Sequence, residues 1–345
     1  MLQKGVKMSV YLDNGYVNIE KILSYGLTFN FLVGGRGTGK TFGTLKHVIE
    51  SGKRIMLMRR TQAQCDLINK PEFNPFKAVC EEYDYSVWVK PVSKYSSGMY
   101  KMKGEEIERL IGYTCALSTI ANMRGFDASD VELLVYDEFI PERHEKKGKF
   151  EGASFLNAYE TINRNRELKG DKPLQVLGLA NAFDLGNAIF LELGLVGVCE
   201  KMVANGQELY INRDKGILVC ILKESEISEQ KRETALYKLA KGGYSEMALS
   251  NEFVYNDDTN VGSKSLKEYK LFCSVQEIHI YKHKSRKEFY ISEHRTGTAD
   301  TFKSDEVDLL RYRKKYGLRL YSSYMRNNIF FENMLTKTLF ELYTI

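Results

Sequence analysis

An α/β architecture built on a mostly parallel central sheet follows from three stretches of this 345-residue sequence. Each is a short, continuous apolar run, the pattern of a strand buried on both faces, and each ends in residues able to carry chemistry. The first runs from Leu27 through a glycine-rich turn to Thr41, the second from Val131 to Glu138, and the third from Leu174 to Ala180, closing at Asn181. With 43% hydrophobic residues, 18 phenylalanines, 22 tyrosines and only 5 prolines, the chain has the apolar surface a folded core needs. Its length suits about two domains.

Composition removes several classes. The charge-free run Ile22 to Gly35 is shorter than the roughly 18 residues of a membrane-spanning helix and contains polar residues. The 50 basic and 45 acidic side chains leave a net charge of +5, spread along the chain, so any nucleic-acid contact has to be local. The six cysteines form no C-x-x-C pair and read as buried free thiols. The N-terminal MLQKGVKMSVYLDNGY lacks the apolar run of a signal peptide, so an intracellular reducing compartment is expected.

The run LTFNFLVGGRGTGKT fits G-x-x-x-x-G-K-[ST], as Gly34, Gly35, Arg36, Gly37, Thr38, Gly39, Lys40 and Thr41. A loop whose backbone N–H groups all point at phosphate oxygens needs residues without a Cβ. Lys40 is expected to reach the β- and γ-phosphates of ATP, Thr41 to ligate Mg2+, and the following helix to aim its positive N-terminal end at the anion.

A nucleotide-hydrolysing site also needs an acid at the end of a neighbouring strand, and VELLVYDE supplies two. Asp137 is placed to hold Mg2+ through water, and Glu138 to polarise the attacking water as general base, as in P-loop NTPases of the additional-strand class. An acidic pair closing a strand is also compatible with a solvated edge. Positive charge for the transition state comes from Arg164 or Arg166, near the C-terminal end of a helical stripe (Phe155, Leu156, Tyr159, Ile162), although cations are favoured there by the helix dipole alone. Asn181, at the tip of LQVLGLA, suits a γ-phosphate sensor.

Competing chemistries fail on motifs. The nearest match to a GTPase N-K-x-D element, Asn69-Lys70-Pro71-Glu72, lies upstream of the acidic pair and lacks the aspartate. An L-S-G-G-Q transporter signature is absent, and the five histidines show no zinc-binding spacing.

The succession GGRGTGKT, IMLMRRTQ, LLVYDEFIPE, TINRNRE and LGLANAF resembles the DNA-encapsidation ATPases of small tailed phages of the phi-twenty-nine type. The resemblance covers about residues 20 to 200, continuing weakly in GGYSEMALSNEFV (Gly242 to Val254) and the C-terminal strands. It implies an additional-strand (ASCE) P-loop ATPase domain over 1–205, a linker region over 206–245, and a small α+β, RNase-H-like vestigial nuclease domain over 246–345. It further implies a homomeric ring, pentameric in the family, that sits on the portal (connector) of an empty capsid in the host cytoplasm and pumps double-stranded DNA inward with ATP and Mg2+, with a packaging RNA as a further partner to test. By resemblance Lys40 is the Walker A lysine, Asp137 and Glu138 the Walker B pair, and Arg164 a finger acting on a neighbouring subunit. Arg59 and Arg60 fall where the family has arginines near the nucleotide, and Gln62 stands where it has a nucleotide-exchange lysine. The competing readings are a P-loop DNA helicase or replication ATPase, and a nucleotide-gated nucleic-acid scaffold with negligible hydrolysis.

Two-metal nuclease chemistry needs converging carboxylates, and the C-terminal acids (Asp257, Asp258, Glu293, Asp300, Asp308) are scattered, so a non-cutting domain is expected. The hairpin-like pattern Glu277 to Tyr290 puts Lys282, Lys284, Arg286 and Lys287 around a turn, and Arg311, Arg313, Lys314 and Lys315 form a second basic cluster. Such clusters suit DNA, a structural RNA or an acidic portal surface, and equally a solvated face. The polar stretch Lys223 to Lys241 reads as a helix joining the two halves.

Overall fold

The computed structural model describes residues 9–123, 125–141, 150–181, 184–223, 225, 230, 233–234 and 259–345. It divides into two compact units, Met1–Asp184 with Met202–Tyr255, and Leu185–Lys201 with Asn256–Ile345.

The first unit begins with α1 (Ile19–Ser24), β1 (Phe29–Val33), α2 (Lys40–Ser51), β2 (Ile55–Arg59), α3 (Gln62–Ile68) and α4 (Lys77–Tyr83). There follow β3 (Val87–Pro91), β4 (Ser97–Lys103), β5 (Glu106–Ala116), β6 (Leu133–Asp137), α5 (Glu151–Asn163) and β7 (Gln175–Ala180). The chain then gives α6 (Ala188–Glu192) and most of α7 (Val196–Ala204) to the second unit before returning as β8 (Leu209–Asn212) and β9 (Ile217–Ile221).

These strands form one nine-stranded sheet in the order β3-β4-β5-β2-β6-β7-β1-β9-β8. The six strands from β5 to β9 in that order are parallel, and antiparallel pairings add β4 and β3 at one edge and β8 at the other. β1, β2, β6 and β7 are buried over nearly their whole length, which is why their sequences read as unbroken apolar runs. β7 lies between β1 and β6, the extra strand that defines the additional-strand class.

The stretch 206–245, expected as a linker, instead starts inside this sheet: β9 pairs in parallel register with β1, Phe29 opposite Ile217 and Val33 opposite Ile221. A short strand whose partner lies nearly 190 residues away leaves no mark in local composition. The helix expected over Lys223 to Lys241 and the segment Gly242 to Val254 fall, apart from a few single residues, outside the described residues, as do Asp257 and Asp258.

The second unit is α+β. It continues with β10 (Tyr269–Val275), β11 (Ile278–His283), β12 (Phe289–Ser292), β13 (Thr301–Phe302), α8 (Glu306–Tyr312), α9 (Leu318–Tyr324), β14 (Ile329–Phe331) and α10 (Met334–Thr344), with a π turn, Arg313–Gly317, joining α8 to α9. Its sheet order is β13-β10-β11-β12-β14; β10, β11 and β12 form an antiparallel meander, and β13 and β14 pair in parallel with β10 and β12 at the two edges. The hairpin read over Glu277 to Tyr290 is thus the β11–β12 pair. Cys273, Ile280, Ile291, Tyr312, Leu320, Phe331 and Phe340 make its core.

Candidate active site

The glycine-rich turn leaves β1 at the carboxyl edge of the parallel sheet, where open α/β sheets bind ligands. Gly34 N–H donates to Ala180 O at 3.1 Å, fastening the start of the loop to β7. Gly37 and Gly39 take φ of +94° and +79°, the left-handed region that an L side chain enters at a cost. Gly39 is the N-cap of α2, and no side-chain cap and no acid occupies the first turn of that helix. Its leading N–H groups therefore suit a phosphate. Lys40 is buried, with Nζ donating to Gly34 O and Gly35 O at 2.8 Å each and to Thr38 Oγ1 at 3.0 Å, so the ammonium is held in the mouth of the loop. Arg36 lies exposed on the loop.

Parallel strands bring the acids to the same edge. Thr41 Oγ1 donates to Asp137 Oδ1 at 3.1 Å, joining the two residues expected to hold Mg2+. Arg59, at the end of β2, forks across the acidic pair: Nη2 lies 2.9 Å from Asp137 Oδ2 and Nη1 2.9 Å from Glu138 Oε2. The aspartate side chain is 5% exposed and the glutamate 48%, so Asp137 is walled in while Glu138 is open to solvent. Glu138 has φ +58°, which turns the chain sharply out of β6 before Phe139 N–H returns to Leu179 O. No group of three or more His, Cys, Asp or Glu among the described residues is arranged to hold a metal. A hydroxyl and one carboxylate beside a phosphate loop nevertheless match the sparse protein ligation of Mg2+, which takes phosphates and water for the rest. Residues Gly34 to Thr41 with Asp137 fit ATP and Mg2+ on these grounds.

The other expected site residues separate. Asn181 closes β7, whose Ala180 pairs with Val33, so it stands beside the origin of the loop. Arg60 is buried and its Nη2 is 2.6 Å from Glu151 Oε1 in the first turn of α5, a tie between β2 and α5. Arg164 and Arg166 hold the segment that leads into β6: Arg164 Nη2 donates to Phe126 O at 2.7 Å and Nη1 to Asp127 Oδ1 at 3.2 Å, while Arg166 Nη2 reaches Val131 O at 2.5 Å and Ala128 O and Ser129 O at 3.2 Å each. That segment enters the amino end of β6; at about 3.3 Å per residue, Val131 is about 20 Å from Asp137, so neither arginine serves its own chain's phosphate loop.

Sequence reasoning missed the residues that brace the loop from outside. Val17 N–H donates to Thr38 O at 3.1 Å, Ser225 Oγ to Gly37 O at 2.7 Å, and the Tyr16 ring lies against Gly39 so closely that an added Cβ would sit 2.5 Å from its Cγ. Tyr16 stands about 20 residues before the motif and Ser225 nearly 190 after it, with no local pattern to mark either. The cysteines are free thiols, five of them buried; burial pushes Cys65 up to about 11, which leaves it neutral and inert beside Arg59.

In the second unit the basic clusters are partly spent on the fold. Arg311 pairs with Asp308 at 2.9 Å, Lys315 with Asp300, and Arg313 donates to Tyr343 O at 2.7 Å at the end of α10. Lys284 Nζ donates to Lys267 O at 2.5 Å, and Arg286 lies 3.7 Å from Glu288, whereas Lys287 and Lys314 are exposed. The carboxylates are dispersed: Glu293 accepts from Asn333, and Asp300 and Asp308 bind the cations just named.

A family model described as podovirus DNA encapsidation protein (Gp16) matches residues 12–344. The DNA packaging protein of Bacillus phage B103 is 26% identical over 340 residues, covering 92% of this chain and 97% of its own. That of Bacillus phage phi29 is 25% identical over 348 residues, covering 95% and 97%. Among solved structures, the bacteriophage Phi-29 viral genome packaging motor assembly superposes with a TM-score of 0.66 at 20% identity, covering 95% of this chain and 99% of that one, and so shares its fold. With a match that runs over nearly its whole length, the chain belongs to the podovirus DNA encapsidation protein family.

Proposed function

We propose that the chain is the ATP-hydrolysing subunit of a phage DNA-packaging motor. It works as a homomeric ring, pentameric by resemblance, on the portal of an empty capsid in the host cytoplasm and moves double-stranded DNA inward, with a packaging RNA as a further partner to test. The reading rests above all on one arrangement: the phosphate loop and the Asp137–Glu138 pair meet at one sheet edge with the extra strand between them, Thr41 bonded to Asp137.

Lys40 and the first turn of α2 bind the phosphates, and Thr41 and Asp137 hold Mg2+. When bound, the ion neutralises charge on the phosphate oxygens. Glu138 orients the attacking water and accepts its proton at the carboxylate, and Asn181 senses the γ-phosphate from the tip of β7. Arg164 acts on a neighbouring subunit's nucleotide: its guanidinium is at the opposite sheet edge from its own loop and 37% exposed, whereas Arg166 is spread over three carbonyls of its own chain. DNA is held by phosphate contacts that do not read sequence. The second unit does not cut DNA; its exposed lysines are the candidate contacts to nucleic acid or portal.

Glu138→Gln is expected to retain ATP binding and lose turnover, and near-normal hydrolysis would overturn the assignment. Mixing Arg164→Ala with Lys40→Ala chains should restore part of the hydrolysis at mixed interfaces; no recovery would remove the trans role. DNA-stimulated phosphate release that rises further with empty capsids separates a packaging motor from a helicase, which unwinds a forked duplex, and from a scaffold, which hydrolyses negligibly.

A further inference from the structure

The fork of Arg59 is not required to form the phosphate loop, yet it occupies both acids on which the chemistry rests. Arg59 follows Met58, which pairs with Tyr136, so sheet register alone delivers its side chain to Asp137. The guanidinium is 16% exposed, its two terminal nitrogens are divided between two carboxylates, and its Nε is buried without a hydrogen bond among the described residues. The two oxygens of Asp137 are thereby assigned different tasks: Oδ1 faces Thr41 and the metal side, Oδ2 faces Arg59. Arg59 thus sets one positive charge against the two negative charges of Asp137 and Glu138, and the Lys40 ammonium is held in the adjoining loop by Gly34 O, Gly35 O and Thr38 Oγ1. An acidic pair so offset, with one carboxylate oxygen on the metal side, offers little to a bare divalent cation, which needs several anionic oxygens to replace its water.

We infer that Arg59 is a resident counter-ion of the acidic pair, a positioning residue whose charge keeps divalent metal from binding by itself and makes metal uptake conditional on nucleotide phosphates. The inference rests on the nucleotide reading above. In a ring of such sites it prevents Mg2+ from holding Asp137 and Glu138 in a metal-loaded but nucleotide-free state. Arg59 also fixes the carboxylate plane of Asp137 so that Oδ1 keeps facing Thr41. A lysine, being a point charge without the fork, preserves the first task and loses the second.

The test measures Mn2+ binding to the full chain by electron paramagnetic resonance, without nucleotide and then with ADP. Wild type is expected to take up Mn2+ at this site only with ADP. Arg59→Gln is expected to bind bare Mn2+ more tightly, by on the order of tenfold, as removal of a unit charge beside a divalent ion implies. Adding Asp137→Asn to Arg59→Gln should abolish the gain. Arg59→Lys should bind bare Mn2+ no better than wild type while still losing turnover with Mg2+ and ATP. The inference is overturned if Arg59→Gln matches wild type, or if Arg59→Lys gains as much as Arg59→Gln. Should Arg59→Gln not fold, wild type and Asp137→Asn decide: bare Mn2+ uptake by wild type that Asp137→Asn removes overturns it as well. If wild type binds no nucleotide with Mg2+, the nucleotide reading itself falls and this inference with it; if it binds, the Mn2+ result judges Arg59 alone.

Discussion

Gly39→Ala is the sharpest check on how the phosphate loop is held. Two independent costs meet at this residue. The left-handed φ of +79° costs an alanine about 1–2 kcal/mol, and the reduced freedom of the unfolded chain returns about 0.4–1 kcal/mol. The new methyl would lie 2.5 Å from Cγ and 2.7 Å from Cβ of Tyr16; these atoms are near the backbone and cannot swing away, so overpacking adds about 1–3 kcal/mol. The net destabilisation is about 1–5 kcal/mol, centred near about 3 kcal/mol, which is about 6–12 °C in the melting temperature of a unit this size. Thermal denaturation followed by circular dichroism measures it, with fluorescent ATP-analogue binding run in parallel. Tyr16→Ala in the same chain should remove the overpacking and leave the backbone cost, so the double mutant should be more stable than the sum of the two single changes by about 1–3 kcal/mol. A Gly39→Ala chain that melts within about 2 °C of wild type, or two strictly additive changes, would refute the packing of Tyr16 on the loop.

Arg166→Ala should cost about 1–3 kcal/mol in melting experiments, because three carbonyls lose a charged donor; Arg164→Ala should cost less than about 1 kcal/mol yet lose hydrolysis in the assembled ring. Arg60→Met leaves Glu151 without its guanidinium and should destabilise by about 2–4 kcal/mol while the nucleotide Kd of the folded fraction stays unchanged; a weakened Kd at full folding would return Arg60 to the nucleotide. The second unit should lose stability as the pH falls from about 7 to about 5. Burial pushes His279 below its usual 6.5, with Arg295 and His294 adding repulsion, so the unfolded chain takes up a proton that the folded chain refuses; His279→Gln should flatten the decline in melting temperature.

Much of the candidate site was legible because the residues that suggest it are local. The loop from Gly34 to Thr41 is contiguous, its glycines are dictated by backbone geometry, and Asp137-Glu138 ends a run whose unbroken apolarity announces a buried parallel strand. Arg59 and Arg60 show where legibility stops: they are neighbours in sequence, yet Arg59 as the last residue of β2 sends its guanidinium to the acidic pair, and Arg60, just past the strand, sends its own to α5. Only placement in the sheet could distinguish them. The same holds for Arg164 and Arg166, two residues apart just past the end of α5 and different in what they grip.

By itself, then, the sequence determined the class of the fold and the family resemblance, and it marked the candidate phosphate loop and acidic pair; each is carried by short motifs whose own residues lie within a few positions of one another. The tertiary structure decided that β8 and β9 complete the first sheet, that Tyr16, Val17 and Ser225 brace the loop, that the arginine pair lies about 20 Å from its own acids, and that Arg59 joins Asp137 to Glu138. Those are contacts between segments far apart along the chain, and their energies come from packing and ion pairing that no local pattern encodes.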